Sequence, residues 1–375
     1  MKLKVRTACF SLLIVSVSSL TAQGINPEVV RLNKMAGERQ GAHDWQSAER
    51  HYLHALDIAA KSEAGHIVAT LHQNLGNLYV TENRYTDAEK QYRLSYDLLK
   101  AEYGEQNPKV AIALNLIGEM VCVEGRFGAG RPLFQRSVDI LQSQKSPSDT
   151  DVATVLTNLA AAHWFLGNLS KAETVLGQAT ALFERAGKEQ QPNVALALQV
   201  RSRIAEQGGD LPRAEAHCRQ ALLILEGSGH TQDLVAGLGT MGYILLRQKK
   251  LQEAQAKLER GLQLIRGDAA EESPVAAALM SNLAQCYHMQ GKCHEAEPLF
   301  ERAIGIDQRM LGPDHPNLLY AMQNYARFLR ATKRKAAAKK AESYVRNHFD
   351  DAKRLNSGGN VVDVRQLLLE QKTHR

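Results

Sequence analysis

Small and apolar positions recur along this chain with a period near 42 residues. One column of small residues runs Ala36, Gly76, Gly118, Ala160, Ser202, Gly242, Ala284 and Ala326, at spacings of 40, 42, 42, 42, 40, 42 and 42. Nine positions after each stands Trp45, Tyr85, Phe127, Leu169, Leu211, Leu251, Cys293 or Lys335. Three further on comes Ala48, Ala88, Gly130, Ala172, Ala214, Ala254, Ala296 or Ala338, and four beyond that Tyr52, Tyr92, Phe134, Leu176, Cys218, Leu258, Phe300 or Glu342. Three more residues lead to Ala55, Ser95, Ser137, Ala179, Ala221, Gly261, Ala303 and Val345. Steps of three, four and seven hold residues on one stripe of a helix, and small residues in such a stripe let a neighbouring helix approach.

Each repeat therefore predicts two antiparallel helices, A and B. In the second repeat the pattern places them over 66–82 and 86–102. The A–B turns are short, as in Glu82-Asn83-Arg84, Glu124-Gly125-Arg126, Leu166-Gly167-Asn168 and Gln290-Gly291-Lys292. Gly or Asn there supplies the left-handed residue that ends a helix. Between repeats, Pro108 and Pro316 stand where the next helix begins.

These columns resemble the tetratricopeptide repeat. The residues that carry the likeness are Leu75-Gly76-x-x-Tyr79, Ala88-x-x-x-Tyr92 and Pro108, and again Leu283-Ala284-x-x-Tyr287, Ala296-x-x-x-Phe300 and Pro316. The common period is about 34 residues; the longer one here, with AEPLFERAIGIDQRMLGPDHPN at 296–317, resembles the kinesin-light-chain type. The likeness spans 27–349, in repeats near 27–63, 66–106, 108–147, 150–190, 192–229, 231–272, 274–314 and 316–349. It implies an all-α fold: a right-handed superhelical solenoid of about eight antiparallel helix pairs, with A helices lining the concave side. It is weakest in the fifth repeat, where Arg201 replaces the Leu75, Leu159 and Leu283 of its siblings. One repeat cannot bury both faces, so stacking supplies the stability.

Outside the repeats, residues 1–22 carry Lys2, Lys4 and Arg6, then an apolar run from Ala8 to Leu20, then small or polar residues. That order is the one of a secretory signal ending near Ala22, and predicts a periplasmic or extracellular protein. An uncleaved anchor is the alternative, but a run of 13 residues is short for a bilayer. After His348 the periodicity ends, and 350–375 read as a linker and a tail, with VVDVRQLLLEQ at 361–371 able to dock in the groove or cap the last pair.

Charge changes the picture locally. The formal total is +6. Residues 330–355 hold nine Lys/Arg against three Asp/Glu, and 23–329 are net −4. Basicity confined to the last repeat implies no nucleic-acid partner for the body of the chain; a solvated helix or an anionic-surface contact both suit it.

Candidate chemistry narrows to one cluster: Cys286, His288, Cys293 and His294, residue types that ligate zinc. The columns argue against a shared ion. Cys286 aligns with Leu78, Met120 and Ile244, and Cys293 with Tyr85, Phe127 and Leu251, both packing slots, whereas His294 aligns with Gln46, Thr86 and Ser170. The chain lacks HExxH, GxxxxGK[ST] and GxSxG. The reading is a non-enzyme with no metal and no cofactor.

Binding on such arrays is held in the concave groove. Two positions before the small residue, the column reads Lys34, Asn74, Leu116, Asn158, Val200, Thr240, Asn282 and Asn324, and a helix turns this column toward the open face. The family resemblance gives Asn74, Asn158, Asn282 and Asn324 the role of clamping the backbone of an extended peptide. A carboxamide both donates and accepts, as a peptide unit does; bonding to neighbouring helices is the alternative. One position after the small residue lie Arg203, Tyr243 and Arg327; Arg203, Arg247, Arg327 and Arg330 make the C-terminal half basic enough to suit an acidic or carboxylate end, and Trp164 is a candidate apolar anchor. The expected partner is a protein or peptide bound by an exported scaffold; a sensor of a small molecule or signalling peptide, gated by the tail, is the alternative.

Overall fold

The computed structural model describes residues 24–187, 192–267 and 269–356. They form sixteen α-helices and a 3-10 turn at Ala269–Glu272, with no strand among the described residues. In chain order the helices are α1 (Pro27–Gly41), α2 (Trp45–Ser62), α3 (Gly65–Thr81), α4 (Tyr85–Tyr103), α5 (Pro108–Val123), α6 (Phe127–Gln142), α7 (Asp149–Phe165) and α8 (Leu169–Arg185). They continue as α9 (Pro192–Gly208), α10 (Leu211–Leu225), α11 (Thr231–Arg247), α12 (Leu251–Leu264), α13 (Pro274–Met289), α14 (Cys293–Leu311), α15 (Pro316–Ala331) and α16 (Lys335–Asn356). Odd helices are A, even ones B, and consecutive helices pack as pairs in a tetratricopeptide-like solenoid.

The small-residue column is the seat of each pair. A Cβ on Gly76 would fall 2.5 Å from the Tyr92 ring, one on Gly118 2.7 Å from the Phe134 ring, and one on Gly242 2.5 Å from Leu258. Tyr52, Tyr92, Phe134 and Phe300 are all buried against this column. Fully burying such side chains contributes on the order of 1.5–3 kcal/mol each.

Every A–B turn passes through one left-handed residue, at the same column: His43, Asn83, Gly125, Gly167, Gly209, Lys249, Gly291 and Lys333. The B helix then starts, capped in two repeats by Asp44 and Asp210, whose carboxylates accept from the backbone N–H of Ser47 and Arg213.

The chain divides into two compact units. One holds described residues up to 121 together with 132–148; the other holds 122–131 and the described residues from 149 onward. In the first, α1–α4 enclose Val29, Leu32, Ile67, Val68 and Leu71, and the Ser137 hydroxyl donates to the Ala111 carbonyl at 2.7 Å. In the second, a continuous core runs from Ala195 to Ile306, and a further cluster unites Phe300, Phe328 and Leu329. Arg201, the odd residue of the fifth repeat, is half-buried with its guanidinium 3.9 Å from Glu173.

The second unit also contains a contact between repeats far apart in sequence. His315, in the loop before α15, is 3% exposed and donates from Nε2 to the Val123 carbonyl at 2.9 Å. Its Nδ1 accepts from the Asn317 N–H at 3.1 Å, which fixes the neutral tautomer. Burial pushes its pKa down to about 4. Gly125 lies under the ring: a Cβ there would meet Pro316 Cδ at 2.9 Å and His315 Cδ2 at 3.0 Å.

Candidate functional site

The asparagine column is the first correction. Asn74, Asn158, Asn282 and Asn324 are 0, 1, 4 and 4% exposed, buried rather than open. Successive A helices close over this column, so it lies between repeats. In the first unit, Asn74 Nδ2 donates to Asn33 Oδ1, one repeat earlier, at 2.8 Å. Nearby, Tyr92 donates to Asn77 Oδ1 at 2.7 Å and Asn115 to Glu119 Oε1 at 2.7 Å. Amides there serve bonding within the fold.

The second unit differs. On α13 and α15, Asn282 Oδ1, Ser281 Oγ, Gln285 Oε1 and Asn324 Nδ2 are buried with no hydrogen-bond partner among the described residues. Such atoms are uncommon in native proteins and each calls for an explanation. An exposed arginine stands over them: Arg327 Nη1 donates to Asn324 Oδ1 at 3.3 Å.

The column one residue after the small position is the one that opens to solvent here. Arg203, Tyr243 and Gln285 are half-buried and Arg327 is exposed. The four helices α9, α11, α13 and α15 each supply one of them. Arg203 Nη2 donates to Thr240 Oγ1 at 3.0 Å, and its guanidinium lies 5.7 Å from the Trp164 ring. Trp164 itself is 5% exposed and packs edge-on to Phe165 at 4.4 Å; it is a wall rather than a projecting anchor.

Tyr243 of α11 meets Tyr320 of α15 edge to face, with ring centroids 6.3 Å apart. Burial pushes both phenols above their ordinary pKa, and Arg203 and Arg327 lie close enough to both to pull the other way. The two guanidinium groups and the two phenols therefore share one patch. Arg247 stands beside it, paired with Glu206 and donating to the Tyr243 hydroxyl at 3.3 Å.

Of the residues singled out in the sequence, the structure brings together Arg203, Tyr243, Asn282, Asn324, Arg327 and Trp164 in one unit; Asn74 belongs to the other. Tyr320 is an addition. Tyr320 was visible in principle: it stands four and seven residues before Asn324 and Arg327, on the same helical stripe.

The Cys/His cluster is dispersed. Cys286 is buried and its thiol donates to the Leu251 carbonyl at 3.2 Å. Cys293 is half-buried and packs against Phe300 and Phe328, while His288 sits edge-on to the Phe328 ring at 5.4 Å. Sulfur and imidazole here are packing groups. Among the described residues no helix is long and apolar enough to cross a membrane.

Residues 31–101, 109–185, 151–227, 233–309 and 275–342 match the tetratricopeptide repeat family. No curated protein matches the sequence. Among solved structures, a Rap protein complexed with Competence and Sporulation Factor is similar at 13% identity, over 89% of each chain, with a TM-score of 0.66. NprR in complex with its cognate peptide NprX is similar at 15% identity, over 92% of this chain and 98% of that one, with a TM-score of 0.56. Kinesin-light-chain TPR-like repeats from Podosopora anserina match at 20% identity over 56% of this chain and 99% of that one, with a TM-score of 0.43. The sequence columns, the helix pairs they build and the span of the family match lead to one statement of identity: the chain belongs to the tetratricopeptide repeat family.

Proposed function

We propose that the chain is a non-catalytic scaffold that binds an extended peptide, free or as part of a protein, along α9, α11, α13 and α15. The observation that carries this reading is the set of unpaired buried atoms on α13 and α15: two amide acceptors, a hydroxyl and one amide donor. A peptide backbone alternates N–H and C=O and can satisfy both kinds at once. The Arg203 and Arg327 pair beside the tyrosines suits an acidic side chain or the terminal carboxylate. NprR, of similar fold, was solved with its cognate peptide, which favours a free signalling peptide among the partners.

Export belongs to the proposal as well. Residues 1–22 lie outside the described residues, as does the 361–371 segment that the sequence offers as a gate. Mass measurement of the protein recovered from its native host tests the cut near Ala22.

The binding test uses a peptide selected from a random library on the purified full chain. Replacing Asn282 and Asn324 together by Ala removes two hydrogen-bonding side chains. At roughly 0.5–1.5 kcal/mol for each bond, affinity should fall about ten- to a hundredfold. Helicity should stay intact. Unchanged affinity discards the backbone-clamp role, and enrichment of no peptide at all discards the scaffold reading.

A further inference from the structure

Helix α16 departs from the repeat pattern at four columns, three times to a cation and once to an acid, Glu342. Position 335 holds Lys, where the seven earlier repeats have Trp45, Tyr85, Phe127, Leu169, Leu211, Leu251 and Cys293. Position 346 holds Arg, where they have Leu56, Tyr96, Val138, Thr180, Leu222, Leu262 and Ile304. Position 339 holds Lys in a column that is Glu in five of seven. Lys335, Lys339, Lys340 and Arg346 are all exposed on α16, and Lys333 is exposed in the turn before it.

In earlier repeats these positions dock the next helix pair. Leu56 packs on the cluster of Ile67, Val68 and Leu71, and Leu222 lies 3.0 Å from where a Gly237 Cβ would stand. The column of position 339 bonds the next turn's cation: Glu49 with Arg84 at 3.1 Å, Glu215 with Lys250 at 2.9 Å, Glu297 with Arg334 at 2.5 Å. Lys339 reverses that sign, so the face repels a further copy of the same repeat. A polar cap needs only hydrophilic residues, and acids would serve equally. Three of the exchanges bring in cations, Lys333 and Lys340 add two more, and the one acid brought in, Glu342, is already paired, so the net positive face points to an anionic partner. Glu342, the only acid between 331 and 349, is held by Arg330 at 2.5 Å, with Arg346 also near it.

We infer that the outer face of α16, with Lys333, Lys335, Lys339, Lys340 and Arg346, docks on an anionic phospholipid surface. Two features choose lipid over an acidic protein. Four of the five cations are Lys, a residue depleted in protein interfaces, where Arg is enriched. Four of the five stand on one regular helix, whose aromatic residues Tyr344 and Phe349 are half-buried, and they project point charges suited to fluid headgroups rather than to one fixed carboxylate geometry. The contact is peripheral and electrostatic.

Co-sedimentation of the full chain with phosphatidylcholine vesicles, with and without roughly a quarter phosphatidylglycerol, reads the effect. Each cation near such a surface contributes about 1 kcal/mol, or about fivefold in partition. The wild type should partition onto the anionic vesicles and not the neutral ones, and should come off as salt shortens the screening length. The triple variant Lys335→Glu, Lys339→Glu, Lys340→Glu should lose at least about a hundredfold, and the triple Lys→Arg variant should keep wild-type retention. If the Glu variant loses helicity, Lys→Gln at the same sites gives a milder reversal read the same way. Equal sedimentation on neutral vesicles, or full retention by the Glu and Gln variants, overturns the proposal. So does binding to inorganic polyphosphate, duplex DNA or an acidic protein without binding to vesicles. Peptide affinity in the groove should be unchanged in every variant, which separates this face from that site.

Discussion

Asp307 shows how one residue can defy its column. The same slot holds Ala59, Leu99, Leu141, Phe183, Leu225 and Ile265 in the six earlier repeats, all of them buried. Asp307 is 2% exposed and its Oδ1 has no partner among the described residues. Burial holds the carboxyl well above the ordinary carboxylate range. Above about pH 4 the unfolded chain has released that proton and the folded chain still binds it. The folded state then carries more protons, so stability falls as pH rises. Asp307→Leu should stabilise by about 1–3 kcal/mol at pH 7, since it restores the slot and removes an uncompensated polar group. Asp307→Asn should flatten the pH dependence, and thermal melts at pH 4.5 and 8 of all three proteins check it. A wild type that gains stability with pH relative to Asp307→Asn would refute the assignment. That column is not among the packing columns set out from the sequence, and the structure is what shows the acid standing in an apolar slot. The asparagines misled because periodicity gives the angle between two residues of a helix, not which angle the next helix covers. Asn74 and Asn282 share a column, yet one is bonded to Asn33 and the other has an unpaired oxygen.

At the scale of elements, turn chemistry carried the prediction further than composition. Asn83, Gly125, Gly167 and Gly291 announce a left-handed residue, and the structure puts one at that column in all eight pairs. His43, Lys249 and Lys333 are there without any such signal; the A–B packing on both sides imposes the conformation. A non-glycine residue in it costs roughly 1–2 kcal/mol. Lys249 is exposed, with φ of 62°, so Lys249→Gly should relieve strain with little lost contact. Part of the gain is offset by the greater freedom of glycine in the unfolded chain. A net rise of about 0.5 kcal/mol is expected in denaturant melts, and destabilisation would show that the left-handed turn is not strained by the lysine. The helix ends were equally legible: the second repeat's pattern gave 66–82 and 86–102, and α3 and α4 span Gly65–Thr81 and Tyr85–Tyr103. The meeting of His315 with Val123 was not legible, because nothing in a 42-residue period says which repeats come round to face each other.

For the whole molecule, the repeat architecture sets how a local change spreads. Each pair buries its flanks chiefly against its neighbours, so stability should approximate a sum of repeat and interface terms. Opening then proceeds by segments of different free energy rather than all at once. The Asp307→Leu variant makes this measurable by amide hydrogen exchange. Slower exchange should appear in α13, α14, α15 and α16, which pack around or next to the changed slot. It should also appear in the α5–α6 turn, remote in sequence but tied to the α14–α15 loop by the His315 hydrogen bond to Val123 at 2.9 Å. Helices α1 to α4, which belong to the other compact unit, should exchange at wild-type rates. A uniform slowing along the chain would mean one cooperative fold and would overturn the segmental account. Slowing in α13–α16 with none in the turn would limit the His315 contact to packing without energetic coupling.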